Sequence, residues 1–221
     1  MRIFPLNRRM SVRLQSRLRR VDKQLPRKVL ADKAPNLGSL IILGDGREDD
    51  VIVSLVCHHL DGSKTVGMVK SELPRYGALE NLKVYVNEGY KDIVFVFDQE
   101  DDTLSKLGGR IRGKLGEIGV RCEEEMWIAR RVVRFSCFVG GVEFMFVVVV
   151  NGLDDVGGPS HKIEDHLVRV AGVAVRGDSK DAWNGLGDVG RLEVVRRIYA
   201  DRDVAAGVFS QHFEGLGLLD C

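Results

Sequence analysis

Two short acidic segments, each following an apolar run, hold the side chains best suited to chemistry in this chain. Leu40-Ile41-Ile42-Leu43 leads into Gly44-Asp45-Gly46-Arg47-Glu48-Asp49-Asp50, and Ile93-Val94-Phe95-Val96-Phe97 leads into Asp98-Gln99-Glu100-Asp101-Asp102. Hard divalent ions such as Mg²⁺ take oxygen ligands, usually one or two carboxylates with waters and substrate phosphates. Asp98 and Glu100, two apart at a strand end, share a side of the chain. Asp45, at the end of a neighbouring strand, completes the cluster. Carboxylates crowded in this way repel one another, and a cation relieves the repulsion. The same residue types also serve helix N-termini, where their oxygens accept from free N–H groups and the dipole favours negative charge. Asp49, Asp50, Asp101 and Asp102 suit that second role.

A further group is His161, Glu164, Asp165 and His166. His161 and Glu164 are three apart and share a helix face. A zinc or dinuclear site needs a second such motif, which the sequence lacks. Glu164 and Asp165 also fall in the first turn of the expected helix, where the dipole favours them. Other chemistry has less behind it. Gly44-Asp45-Gly46 lacks the spacing of a dinucleotide turn, no Gly-Lys-Ser/Thr loop occurs, and Ser210, His212 and Asp220 come without a nucleophile elbow.

The elements that position these residues follow from hydrophobic period. Ser39–Leu43, Thr65–Val69 and Asp92–Phe97 read as strands. Between and after them, helical spacing runs through Val51–His59, Ala78–Asn87 and Thr103–Ile118. This alternation predicts an α/β fold with a mainly parallel, Rossmann-like sheet of four or five strands joined by right-handed crossovers. In such a sheet ligands bind beyond the carboxyl ends of the strands, which is where both acidic segments lie. From residue 132 the period changes. Val132–Phe138 and Val142–Val150, joined by Gly140-Gly141, predict an added hairpin. After the breaker Gly157-Gly158-Pro159, Ser160 is the expected N-cap of a helix reaching Ala171, and a helical tail follows from Leu186.

The chain has 221 residues, 44% hydrophobic and 29% charged, which is the profile of a globular protein with a full core. Its longest apolar run, Phe144–Val150, is too short to span a bilayer. Four dispersed cysteines (57, 122, 137 and 221) predict reduced thiols and a cytoplasmic protein without a structural zinc site. Only six Asn and four Gln lean the composition towards a thermophile.

The net charge of +1 conceals an asymmetry. Residues 1–33 carry 11 Lys/Arg against Asp22 and Asp32, leaving 22 basic and 30 acidic residues in the rest. Residues 1–35 therefore read as a basic N-terminal arm, and 36–221 as the α/β domain. Leu14, Leu18, Val21 and Leu25 predict an amphipathic helix, with Arg13, Arg17, Arg19, Arg20 and Lys23 as phosphate-backbone contacts. A helix laid across the acidic body satisfies the same pattern, and its aliphatic face argues against a membrane surface. Met10 is a second candidate start of the chain.

Leu43–Asp49 together with Val94–Glu100 resembles the Toprim domain, the metal-dependent module of topoisomerases, primases and related nucleases. More narrowly, the chain is similar to small stand-alone Toprim-related proteins of archaea and bacteria. In those, a long strand is followed by a loop and a helix opening on a Leu-Glu-Asp-like triplet, here Ile163-Glu164-Asp165. The likeness covers roughly residues 38–172. It implies Mg²⁺-dependent phosphoryl transfer or hydrolysis on nucleic acid, with Mn²⁺ as a substitute ion. Asp98 and Glu100 would be metal ligands, Asp45 the general acid or base, and Glu164 and Asp165 accessory acids. Asp45 stands where the family has Glu, and Glu100 where it has a second Asp. These exchanges favour the alternative, a non-catalytic module of the same fold that binds a partner protein or nucleic acid.

Overall fold

A computed structural model describes residues 1–33, 37–60, 62–73, 75–158 and 160–220, apart from the side chains of Glu124 and Asp220. The expected arm boundary at 35, the breaker residue Pro159 and Cys221 lie outside the described residues. The strands are β1 (Arg2–Pro5), β2 (Ser39–Leu43), β3 (Thr65–Lys70), β4 (Asp92–Asp98), β5 (Arg121–Ala129), β6 (Val132–Val139) and β7 (Val142–Asn151). They form one seven-stranded sheet in the order β1-β3-β2-β4-β7-β6-β5. The first five of that order are mutually parallel, β6 is antiparallel to β7, and β5 is antiparallel to β6. The hairpin is thus an extension of the same sheet, and its second strand is the fifth parallel strand.

The helices are α1 (Arg8–Val21), α2 (Leu25–Val29), α3 (Asp49–His59), α4 (Leu82–Asn87), α5 (Leu104–Glu117), α6 (Ile163–Ala171), α7 (Ser179–Gly185), α8 (Gly187–Ala200), α9 (Arg202–Val208) and α10 (Ser210–Gly217). Alternation along the strands divides the core between the two sheet faces. Leu40, Ile42, Phe95 and Phe97 face the layer of α4 and α5, while Ile41, Leu43, Val94 and Val96 face the layer of α1–α3 and α6–α10. Burial on both faces explains why the central strands are unbroken apolar runs.

The N-terminal segment differs from an appended arm. Arg2–Pro5 pairs in parallel with Thr65–Met68, so the chain enters through the sheet itself. Asn7 caps α1, its Oδ1 accepting from Arg9 N at 2.8 Å. Met10, Leu14, Leu18 and Val21 of α1 are buried. The four-residue strand is too short for its period to stand out in the sequence.

Cys122 and Cys137 correct the expectation of reduced thiols. They sit opposite each other on β5 and β6, with Cα atoms 4.1 Å apart, and are joined in a disulfide. Their pairing follows from a register that only the recognition of β5 reveals. Cys57 is buried in α3. No helix among the described residues is long and apolar enough to cross a membrane.

Candidate functional site at the strand ends

The carboxyl ends of β2, β4 and β7 lie side by side, since Leu43 pairs with Val96 and Asp98 with Asn151. Asp98 is the last residue of β4. Its Oδ1 accepts from Asn151 Nδ2 at 2.9 Å and from the backbone N–H of Ile163, the first residue of α6, at 3.0 Å. Desolvation raises its pKa to about 6 against these two hydrogen bonds, and the charges of Glu100 and Asp45 push the same way. Asp45 itself is exposed in the loop after β2.

Glu100 is not simply in line with Asp98. It adopts a left-handed conformation, φ 55°, and its backbone pairs with His161 on both sides, at 2.8 and 2.9 Å. Its carboxylate is bound by the guanidinium of Arg75, which also holds Asp101 at 2.9 Å. Asp98 and Glu100 therefore approach each other electrostatically, but Glu100 is already neutralised by a cation of the protein.

Asp49 is the residue whose role the sequence conceals. It opens α3 and is only 1% exposed, yet neither carboxylate oxygen has a hydrogen-bond partner among the described residues. A β-carbon on Gly46 would stand 2.6 Å from Asp49 Oδ2, so the carboxylate packs where only glycine leaves room. Burial pushes its pKa well above the usual value, and the negative charges of Asp98, Glu164 and Asp50 push it further. Lys70 opposes them. This lysine ends β3, just past the expected strand, and its Nζ donates to the carbonyl of Gly46.

Glu164, 6% exposed on the first turn of α6, belongs to the same group. Its pKa rises to about 7, first through desolvation and then through the charge of Asp98, with Lys180 and Lys162 pulling down. Asp165 is differently employed. Its Oδ2 accepts from Leu153 N at 3.1 Å and faces His161 Nδ1 at 3.1 Å, which pins the loop after β7. Close approach in that loop depends on Gly152, where a β-carbon would lie 2.4 Å from that of His161.

Behind Asp98 lies a polar network. Since Asn151 turns Nδ2 towards a carboxylate, its Oδ1 is left to accept, and it takes the Nε2–H of His212 at 2.7 Å. His166 uses both ring nitrogens, with Nδ1–H donating to Val208 O at 2.7 Å and Nε2 accepting from Gly152 N at 3.1 Å. Burial lowers its pKa to about 4. His166 is thus a neutral core residue.

No three His, Cys, Asp or Glu side chains among the described residues are gathered within joint coordinating reach. The donor chemistry still suits a hard cation, being all oxygen with mutual repulsion among Asp49, Asp98 and Glu164. No family model, curated protein or solved structure matches the chain significantly. The site's chemistry therefore has to be argued from its own residues.

The five basic residues expected to contact phosphates are divided by α1. Arg13 and Arg17 turn to the α3 N-terminus, donating to the buried Asp50 at 2.7 and 2.9 Å, and Arg17 also pairs with Glu48. Arg20 lies along that side too, whereas Arg19 and Lys23 line a separate groove with Arg27. Of the site residues, Lys70 and Asn151 carry no expectation from the sequence, which presents Asp49 only as a helix-end acid and His212 only beside Ser210 and Asp220. Asn151 carries the same signal as Asp98, a polar residue closing an apolar strand.

Proposed function

We propose that the strand-end carboxylates serve Mg²⁺-assisted phosphoryl transfer or hydrolysis on a nucleic-acid phosphodiester, with Mn²⁺ able to replace Mg²⁺. The observation carrying this reading is Asp49, a buried carboxylate whose two oxygens have no donor among the described residues and which feels the charges of Asp98 and Glu164. An unpaired buried charge is costly, and a site of this composition is relieved by a cation. Asp49 and Asp98 would each offer the ion an oxygen, with waters and substrate phosphates completing its shell, and the ion would supply charge neutralisation at phosphate oxygens and acidify bound water.

The chain's own residues do the rest. Asn151 and the Ile163 N–H orient Asp98, and Arg75 fixes the direction of Glu100. Asp45, exposed beyond β2, is free to carry a proton between water and a leaving oxygen. Glu164, with its pKa raised to about 7, would exchange a proton near neutrality. Basic residues of α1 that are not consumed in internal ion pairs would contact the phosphate backbone.

The arrangement around Glu100 favours a second reading. With its carboxylate bound by Arg75, and without a preassembled trio of ligands among the described residues, the fold suits a non-catalytic module that binds nucleic acid or a protein. Calorimetric titration with Mg²⁺ and Mn²⁺ separates the two. Saturable binding by the wild type, lost in Asp98→Ala and Asp49→Asn, supports the catalytic reading, as does metal-dependent cleavage of a labelled oligonucleotide that Asp45→Ala abolishes. Absence of both binding and cleavage overturns it in favour of the module.

A further inference from the structure

A cleft of about 350 Å³ lies between α1, the start of α3, and α7 with α8. Clefts of this size hold small ligands. Its polar lining is mainly cationic. Arg13, Arg17, Arg20, Arg47 and Arg191 line it against only two carboxylates, Glu48 and Asp188. Arg13 and Arg17 are committed to Asp50 and Glu48, and Arg191 to Asp188 at 2.6 Å. Arg20 and Arg47 make no ion pair among the described residues, and both are exposed. Two guanidinium groups are therefore presented to whatever enters.

Apolar side chains complete the lining, namely Val21, Val51, Leu192 and Val195 with Trp183. Trp183 is 2% exposed, and its indole N–H finds no acceptor among the described residues. A buried donor left unpaired costs about 1–3 kcal/mol, so buried indoles ordinarily have a partner. The cleft thus combines apolar side chains with two cations and an indole donor that have no partner among the described residues. A bare inorganic anion answers only the cations.

We infer that this cleft binds a nucleoside phosphate. The phosphate lies between Arg20 and Arg47, where planar guanidinium groups suit its oxygens. The base packs on the apolar side chains and displaces the cover over Trp183, whose N–H then donates to a ring nitrogen or carbonyl. The ligand is either a free nucleotide or the phosphorylated end of a strand, which present the same chemistry. The inference needs neither the strand-end carboxylates nor a cation, so it stands or falls apart from the proposed activity.

The chain has two tryptophans, and Trp127→Phe leaves Trp183 as the sole indole reporter. In the full-length variant, with EDTA present, adenosine and guanosine triphosphates, inorganic pyrophosphate and a 5′-phosphorylated dinucleotide are titrated by fluorescence and calorimetry. A saturable change in Trp183 emission with a nucleoside phosphate, weakened at least about tenfold by Arg20→Ala/Arg47→Ala, supports the inference. Lys106→Ala/Arg110→Ala, exposed on α5 in the other helical layer, leaves the affinity unchanged. Tighter binding of the dinucleotide than of the triphosphates assigns the ligand to a strand end. Pyrophosphate binding as tightly as the nucleotides overturns the base-binding role of the apolar side chains. Binding that is absent, or retained in the Arg20/Arg47 variant with a native circular dichroism spectrum, overturns the site.

Discussion

Asn151 stands beside Asp98 in the register of β7 and β4, and its amide donates to the Asp98 carboxylate at 2.9 Å. The other end of that amide is held by His212 on α10, 61 residues later in the chain. The C-terminal helices thereby set the orientation of the central carboxylate without touching it. In Asn151→Ala both Asp98 and His212 lose a buried partner, at an expected cost of about 1–3 kcal/mol. Asn151→Asp is worse near neutral pH, because it places a second carboxylate against the first. At acid pH the new carboxyl is protonated and can donate to Asp98. Urea denaturation should show a deficit for Asn151→Asp that narrows markedly on acidification, and a deficit independent of pH would refute the network.

Protonation of the cluster sets a stability trend opposite to ordinary acid denaturation. Asp98 titrates at about 6 instead of 3.8, and Glu164 at about 7 instead of 4.5. The folded state therefore binds protons more tightly than the unfolded chain. By linkage, the contribution of these two groups is fully present below about pH 4 and is lost as pH rises through 6 and 7, on the order of a few kcal/mol. Mg²⁺ prefers the ionised forms, so its stabilisation should grow over the same window. Thermal melts in EDTA and in Mg²⁺ across that range test this, and curves that stay parallel would sink the cation's role.

Asp49→Asn distinguishes a ligand from a helix-end acid by the sign of its effect. As a dipole partner in the first turn of α3, Asp49 would contribute roughly 0.3–1 kcal/mol, lost in the variant. As an uncompensated buried charge it destabilises, so the amide should raise stability above neutral pH by about 1–3 kcal/mol in EDTA. The same variant should lose the additional stabilisation that Mg²⁺ gives the wild type. Denaturation in EDTA and in Mg²⁺ reads both effects.

Much of the sheet was legible because burial on both faces writes strands as unbroken apolar runs, as in Leu40–Leu43 and Phe144–Val150. The two strands that escaped notice lack that signal for different reasons. Arg2–Pro5 has four residues, too few for a period, and Arg121–Ala129 is an edge strand with three consecutive glutamates and pairs only with β6. Missing β5 also hid the disulfide. At the site, strand-end position pointed to Asp98 and applied equally to Asn151. No local pattern tells which of Asp49 and Asp50 is solvated, paired or bare. That depends on α1, whose Arg13 and Arg17 reach across 37 and 33 residues to claim Asp50 and leave Asp49 alone.

This commitment of α1 bears on any attempt to remove the basic segment. Ile3, Leu14, Leu18, Leu25 and Val29 are fully buried. At about 1.5–3 kcal/mol each, they are comparable with the roughly 5–15 kcal/mol that holds a domain together. Deleting residues 1–33 would also expose the edge of β3 and strip both guanidinium groups from Asp50, whose side chain is otherwise buried. The truncated chain should fail to fold, with loss of the cooperative thermal transition by circular dichroism. Point changes are the informative ones. Arg17→Ala should cost about 1–3 kcal/mol by leaving Asp50 with one guanidinium, that of Arg13, whereas Arg19→Ala should be nearly neutral for stability. A soluble, cooperatively melting truncation would show instead that the segment is dispensable to the core, and that its arginines are free for a partner.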